Sequence, residues 1–121
     1  MNAATKTAEH LEDLNIEFHE TGLAASDGAL EIGHGTYGGA RLATLRAALG
    51  HAARPLDVLK IDIEGGEWAA LPELLAECER AVVAHQILVE LHSPKLAGFL
   101  ALAERLEQCG YRLFAKDYNL L

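Results

Sequence analysis

Acidic side chains in this 121-residue sequence gather where strands would end. Asp27 follows one candidate strand, Asp62 and Glu64 close a second, and Glu90 with His92 closes a third. In an open α/β sheet ligands bind beyond the carboxyl ends of the strands, so acids placed there carry more weight than acids elsewhere. A carboxylate or an imidazole in such a place can accept a proton from a reacting group, and a His beside an acid can also ligate a metal.

Side-chain alternation puts Lys60, Asp62 and Glu64 on one face of the second strand, and Gln86, Leu88, Glu90 and His92 on one face of the third. If the two strands are neighbours, these acids converge. Lys60 inside a buried strand would need a partner, so an internal ion pair with Asp62 or Glu64 is its structural reading. Asp62 lies at the end where a ligand would arrive and is the stronger functional candidate. Glu67 falls in the first turn of a helix, where the dipole favours a carboxylate, and reads as structural. Trp68 reads as core, while His10, His19, His51 and His85 form no pattern.

The elements that would position these residues alternate helix and strand in three units, which argues an α/β fold with a mostly parallel sheet. The first unit is a helix over Thr5 to Leu14, with Leu11 and Leu14 on one face, then a strand from Ile16 to Ala24 closed by Ser26-Asp27-Gly28. Ala29 to Gly39, with four glycines around His34 and Tyr37, reads as a mobile loop. Its glycine spacing matches a dinucleotide fingerprint by chance, because no long apolar strand feeds it. Arg41 to Leu49 reads as a helix with Leu42, Leu45 and Leu49 inward and Gly50 as its stop. Leu56 to Ile63 reads as a strand in which Val58, Leu59, Ile61 and Ile63 are buried on both faces. Glu64-Gly65-Gly66 then turns the chain into a helix containing Trp68, Leu71, Leu74, Leu75 and Cys78. The third unit is strand Gln86 to His92, helix Leu96 to Cys109 with Leu96, Phe99, Leu100, Ala103 and Leu106 apolar, the stop Gly110, and a final strand Tyr111 to Ala115.

Composition narrows the function classes. One domain spanning residues 1–121 is expected at this length, and 50% hydrophobic residues suffice for a core. Ten Lys plus Arg against 18 Asp plus Glu give a net charge of -8, which would repel a nucleic-acid backbone. Apolar runs fall far short of the roughly 20 residues that cross a bilayer, and the start lacks a leader, so a soluble cytoplasmic protein without membrane partners is expected. Cys78 and Cys109 read as two separate core thiols.

The string from Leu56 to Trp68, LDVLKIDIEGGEW, closely resembles the signature of FkbM-like methyltransferases. Gly22 to Gly28 resembles that family's short loop after its third strand, and Thr44-Leu45 resembles the pair preceding its signature strand. Ile87 to His92 and Gly110 to Phe114 are similar to its later strands. The resemblance implies a Rossmann-like class I methyltransferase fold and S-adenosylmethionine as cofactor. It places Ser26 and Asp27 near the adenine, and Asp62 with Glu64 facing the methyl donor and the substrate. The implied reaction is methyl transfer to a hydroxyl of a small-molecule or sugar-like acceptor, with Asp62, Glu90 or His92, in that order, taking the hydroxyl proton. The site is read without a metal. An acid ending one strand beside an acid and a His ending the next is nevertheless a pattern that can bind a divalent cation, as in metal-dependent O-methyltransferases.

Members of the resembling family begin with a strand, a glycine-rich turn and a second strand ending in an acid, and nothing before Thr5 matches these. The expected domain therefore lacks the first two strands, and strand 56–63 has an open edge that its own strand Ile16 to Ala24, a second copy or another chain would cover. A catalytically inactive module that uses this edge in protein interaction is the alternative reading.

Overall fold

The computed structural model describes residues 14–32, 34–78 and 80–117, so most of the helix expected over Thr5 to Leu14 lies outside the described residues. Mixed α/β structure is observed. The elements run β1 (Thr21–Leu23), β2 (Gly28–Ile32), β3 (Gly35–Ala40), α1 (Leu42–Ala48), β4 (Leu56–Ile61), α2 (Glu67–Cys78), β5 (Ala84–Val89) and α3 (Leu96–Gln108).

Parallel pairing of β4 with β5 forms the sheet that matters for the acids, in a register that sets Val58 against Gln86 and Lys60 against Leu88. Backbone bonds from Leu56 to Val83 and from Glu90 to Ile61 prolong the ladder at both ends. One face of this pair is the core face. Leu59, Ile61, Ile63, Ile87, Val89 and Leu91 pack there with Leu42 of α1, Leu71, Leu74 and Leu75 of α2, and Leu102 of α3. On the other face Val58 is 54% and Leu88 43% exposed. The expectation of burial on both faces is thus corrected: among the described residues the helices cover one side only, and β4 has β5 as its single strand neighbour.

The same open face overturns the Lys60 ion pair. Lys60 is exposed, and no ion pair joins it to Asp62 or Glu64. A solvated ammonium needs no partner.

The glycine-rich stretch expected as a loop is a hairpin, with Gly28 opposite Gly39, Leu30 opposite Tyr37 and Ile32 opposite Gly35. Low strand propensity is overridden here by pairing on both sides, since β3 also runs parallel to β1. β1 itself is shorter than the strand expected over Ile16 to Ala24; Ile16 and Phe18 are 47% and 70% exposed, outside any ladder.

Helix stops fall where the glycines require. His51 N–H bonds Arg46 O and Gly50 N–H bonds Ala47 O, and the same pair of bonds closes α3 from Tyr111 to Leu106 and from Gly110 to Glu107. Leu42 of α1 is buried, but Leu49, just past its end, is 38% exposed, and a position outside the expected inward set, Arg46, is buried. Its guanidinium pairs with Glu77 of α2 and donates to the carbonyls of His51 and Arg54, tying α1, α2 and the α1–β4 connection together.

α3 inserts Leu102 into the core, whereas the apolar Leu96 and Leu100 are 74% and 56% exposed. The final strand over Tyr111 to Ala115 is not formed, having no ladder partner among the described residues. Tyr111 instead docks by its side chain, its hydroxyl donating to Ala84 O at 2.6 Å. Cys78 and Cys109 are not separate thiols but a disulfide, which ties the end of α2 to the end of α3.

Candidate functional site

Two turns at the carboxyl ends of β4 and β5 create the site. The register Lys60 to Leu88, carried one side chain further on the same face, sets Asp62 and Glu90 side by side. Beyond them the chain turns through Glu64 at φ 53 and Ser93 at φ 49, both in the left-handed region that costs a non-glycine residue about 1–2 kcal/mol. Gly65, at φ +104, makes the tight turn possible and delivers its N–H to the helix that follows.

His92 is the hub of the arrangement. Its Nε2 lies 3.5 Å from Glu64 Oε2, 3.8 Å from Glu90 Oε1 and 3.9 Å from Asp62 Oδ1. Its other nitrogen, Nδ1, is 2.9 Å from Glu67 Oε1. A carboxylate and an imidazole in this contact share one proton, so Nδ1–H donates and Glu67 accepts. The His92 carbonyl in turn accepts from Trp68 Nε1 at 2.8 Å. Ring and backbone are therefore both held.

Glu67 is fully buried, which a carboxylate tolerates only with donors around it. It has them: Ile63 N–H at 3.0 Å, Gly65 N–H at 3.1 Å and the His92 ring. Burial works to raise its pKa, but the Ile63 N–H, the His92 ring and further backbone N–H groups outweigh it and hold the carboxyl below its ordinary value. The Glu67 contact pushes the His92 pKa up; desolvation opposes this, and the charges of Glu64, Glu67 and Glu90 add to the rise. The result is an oriented imidazole with its pKa held above the ordinary value, facing three carboxylates.

Glu67 stands in the first turn of α2 and Trp68 packs against the core, as the sequence reading has them. Beyond those roles, both hold His92. The available signal was the type of residue at the first helical position after Gly65-Gly66, since a long carboxylate there can reach back to orphan N–H groups.

Asp27 and Ser26 are not drawn into this cluster. Asp27 Oδ1 accepts from Arg41 N–H at 2.9 Å, while Oδ2 accepts from the Arg41 guanidinium and from the Thr44 hydroxyl at 3.0 Å. Its carboxyl is held below the ordinary value by the Arg41 N–H first and the Thr44 hydroxyl next. Asp27 thus pins the amino end of α1, as an acid at a helix start does. Ser26 is exposed in the bend before it.

A surface cleft lined by Arg46, Pro55, Glu77 and Val83 lies at the amino ends of β4 and β5, at the opposite end of the strands from the acids. It takes no part in the cluster. Among the described residues no helix is long and apolar enough to cross a membrane.

Comparison with curated proteins and with solved structures finds no match. The family model described as "Methyltransferase FkbM domain" matches residues 13–113, a span that contains β4, the Glu64–Gly66 turn, Glu67 and the whole His92 cluster. With most of its length matched, the chain belongs to the FkbM methyltransferase domain family.

Proposed function

We propose that the chain is a single Rossmann-like class I domain that transfers a methyl group from S-adenosylmethionine to a hydroxyl of a small-molecule or sugar-like acceptor. The observation that carries this reading is the convergence of Asp62, Glu64 and Glu90 on one imidazole at the carboxyl ends of two parallel strands.

The donor set suits the cofactor. S-adenosylmethionine supplies an electrophilic methyl carbon on a sulfonium beside an ammonium group, and the three acids offer negative charge to both. Asp27 is largely committed, because Oδ2 already accepts from Arg41 and Thr44; one lone pair of Oδ1 is left for an adenine amino group, with Ser26 adjacent.

The chain's own contribution is acid–base. Asp62 or Glu90 takes the hydroxyl proton, and His92, whose Nε2 lies 3.9 and 3.8 Å from them, is the hub between the two acids. Glu67 positions that hub without touching the acceptor. In the proposed fold β4 is an inner strand whose second neighbour is absent from the described residues, which accounts for its open edge.

Calorimetric titration with S-adenosylmethionine tests the reading. Binding that is lost in Asp62→Ala and weakened in Asp27→Ala supports it. Absence of heat at millimolar cofactor overturns it and favours a second reading, an inactive interaction module. The exposed Val58 and Leu88 beside the free edge of β4 are the observation behind that alternative. A cytoplasmic location belongs to the same proposal, and the disulfide provides its check. Alkylation in intact cells should find Cys78 and Cys109 free in a reducing compartment and blocked in an oxidising one.

A further inference from the structure

We propose that Asp62, Glu64 and His92 form a binding site for one divalent cation of the manganese class, which would occupy the position of the proton on His92 Nε2. The inference deepens the methyl-transfer reading, because the ion would sit where the acceptor hydroxyl arrives.

Three kinds of observation support it. First, one donor atom from each residue can be chosen so that all three lie within 4.8 Å of one another. Ligands about 2.1 Å from an octahedral ion stand about 3 Å apart when adjacent and about 4.2 Å apart when opposite. The separations of Nε2 from Glu64 Oε2, 3.5 Å, and from Asp62 Oδ1, 3.9 Å, fall between these limits. Glu64 has an 84% exposed side chain and is free to adjust by rotation.

Second, the nitrogen that faces the acids is the right one. A metal-bound imidazole almost always donates its other N–H to a carboxylate, which fixes the tautomer and turns the lone pair toward the ion. Glu67 accepts from Nδ1 at 2.9 Å, is itself fully buried, and draws its remaining bonds from Ile63 and Gly65, outside the ligand set. Nε2 is thereby left as the ligating atom. The Trp68 bond to the His92 carbonyl holds the backbone that carries the ring.

Third, the donor chemistry selects the ion. Two carboxylate oxygens and one imidazole nitrogen are too nitrogen-poor for a copper site and lack the thiolates of a structural zinc site, while one nitrogen among oxygens suits manganese better than calcium. Three ligands leave three positions of an octahedron for water or for oxygens of an acceptor. Glu90, with Oε1 at 3.8 Å from Nε2, stays outside the ligand set and is then the acid left to take a proton.

The experiment is a titration of the chelator-stripped chain with manganese, magnesium and zinc chlorides in separate runs, without S-adenosylmethionine. It is followed by calorimetry and, for manganese, by broadening of the His92 ring signals. Saturable binding of one manganese ion is expected, weaker for magnesium. Asp62→Asn, Glu64→Gln and His92→Gln should each lower affinity at least tenfold, and Glu67→Gln by about tenfold through lost orientation. Asp57→Asn, on β4 but away from the cluster, should leave it unchanged. Circular dichroism of each variant separates lost ligation from lost fold. No saturable binding of any of the three ions at millimolar concentration overturns the proposal. So does binding that survives His92→Gln intact, which would mark diffuse attraction to acids. Because the cofactor is absent, a negative result leaves the methyl-transfer reading standing, and metal binding without any cofactor binding would sink only that reading.

Discussion

Replacing Glu67 by Gln tests the centre of the argument, because nearly every statement about His92 passes through that carboxylate. Gln has the same shape, so packing against the core is kept. Its oxygen can still accept from Ile63 and Gly65, but its amide nitrogen cannot accept from a donor, and the charge is gone. The main loss is the charge-assisted bond to His92 Nδ1, and hydrogen bonds to charged groups contribute about 1.5–3 kcal/mol. Glu67→Ala removes more. It leaves three donors facing a cavity at a fully buried position, for which about 3–5 kcal/mol is the appropriate scale.

Urea unfolding reads these losses as a lower midpoint at unchanged slope. Their pH dependence is the sharper signature. Glu67 has a folded pKa below its ordinary 4.5, so its contribution is present above 4.5 and lost as pH falls through the folded value. His92 has a folded pKa above its ordinary 6.5, so its contribution is complete below 6.5 and lost as pH rises through the folded value. For the metal-free wild type the pair is therefore most stabilising between 4.5 and 6.5, and Glu67→Gln should flatten both limbs. Ring titration by NMR should show the His92 pKa falling in the variant. A Glu67→Gln protein within about 0.5 kcal/mol of wild type, with an unshifted His92 titration, would refute the idea that this carboxylate holds the ring.

Reducing the Cys78–Cys109 bond reopens a loop of 31 residues and should cost about 3–4 kcal/mol by the chain-entropy relation, seen as a lower melting temperature in the Cys109→Ser variant and in wild type under reductant, with no further lowering when the two are combined. Arg46→Ala removes the link between α1, α2 and the Arg54 carbonyl; a loss of about 2–4 kcal/mol is expected by urea unfolding, and a neutral outcome would show the buried guanidinium to be dispensable. Asp27→Asn should abolish the part of the acid limb lying below pH 3.8, because the native carboxylate, with its lowered pKa, stabilises above that value and stops doing so as pH falls through its folded pKa. Val58→Lys places a charge on the open face of β4; if that face joins copies of the chain, sedimentation should show self-association of wild type that the variant loses.

The convergence of acids was legible because it depends on two local rules, alternation along a strand and adjacency of successive parallel strands. Those rules put Asp62, Glu64, Glu90 and His92 on one face, which is where they stand. Glu67 was not legible, since its meaning comes from His92, 25 positions further along the chain. The disulfide has the same character: nothing in the 31-residue spacing of Cys78 and Cys109 states that two helix ends meet. Strand ends were overextended at Ile63 and His92 because apolar pattern continues past the last ladder bond. The hairpin of β2 and β3 was missed because four glycines carry no strand signal of their own, and its order comes from partners on both sides. Burial of Val58 was misjudged for a related reason. An apolar residue in a strand reports that a face can be covered, whereas its coverage depends on a neighbour that the described residues do not supply.

That open face bears directly on the chemistry. Asp62 and Glu90 continue the same outward row as Val58, Lys60 and Leu88, so the acids form the far end of the uncovered surface. Any polypeptide that covers Val58 and Leu88 and extends toward the carboxyl ends of the strands would also remove water from around Asp62 and Glu90. Their attraction for the His92 cation, or for a metal in its place, strengthens as the local dielectric falls. Covering the sheet and completing the site are then one event, and the two readings of the chain, enzyme and interaction module, make a common demand. Cofactor or metal affinity measured with and without whatever occupies that face should differ, and the difference should disappear when Val58→Lys prevents the face from being covered.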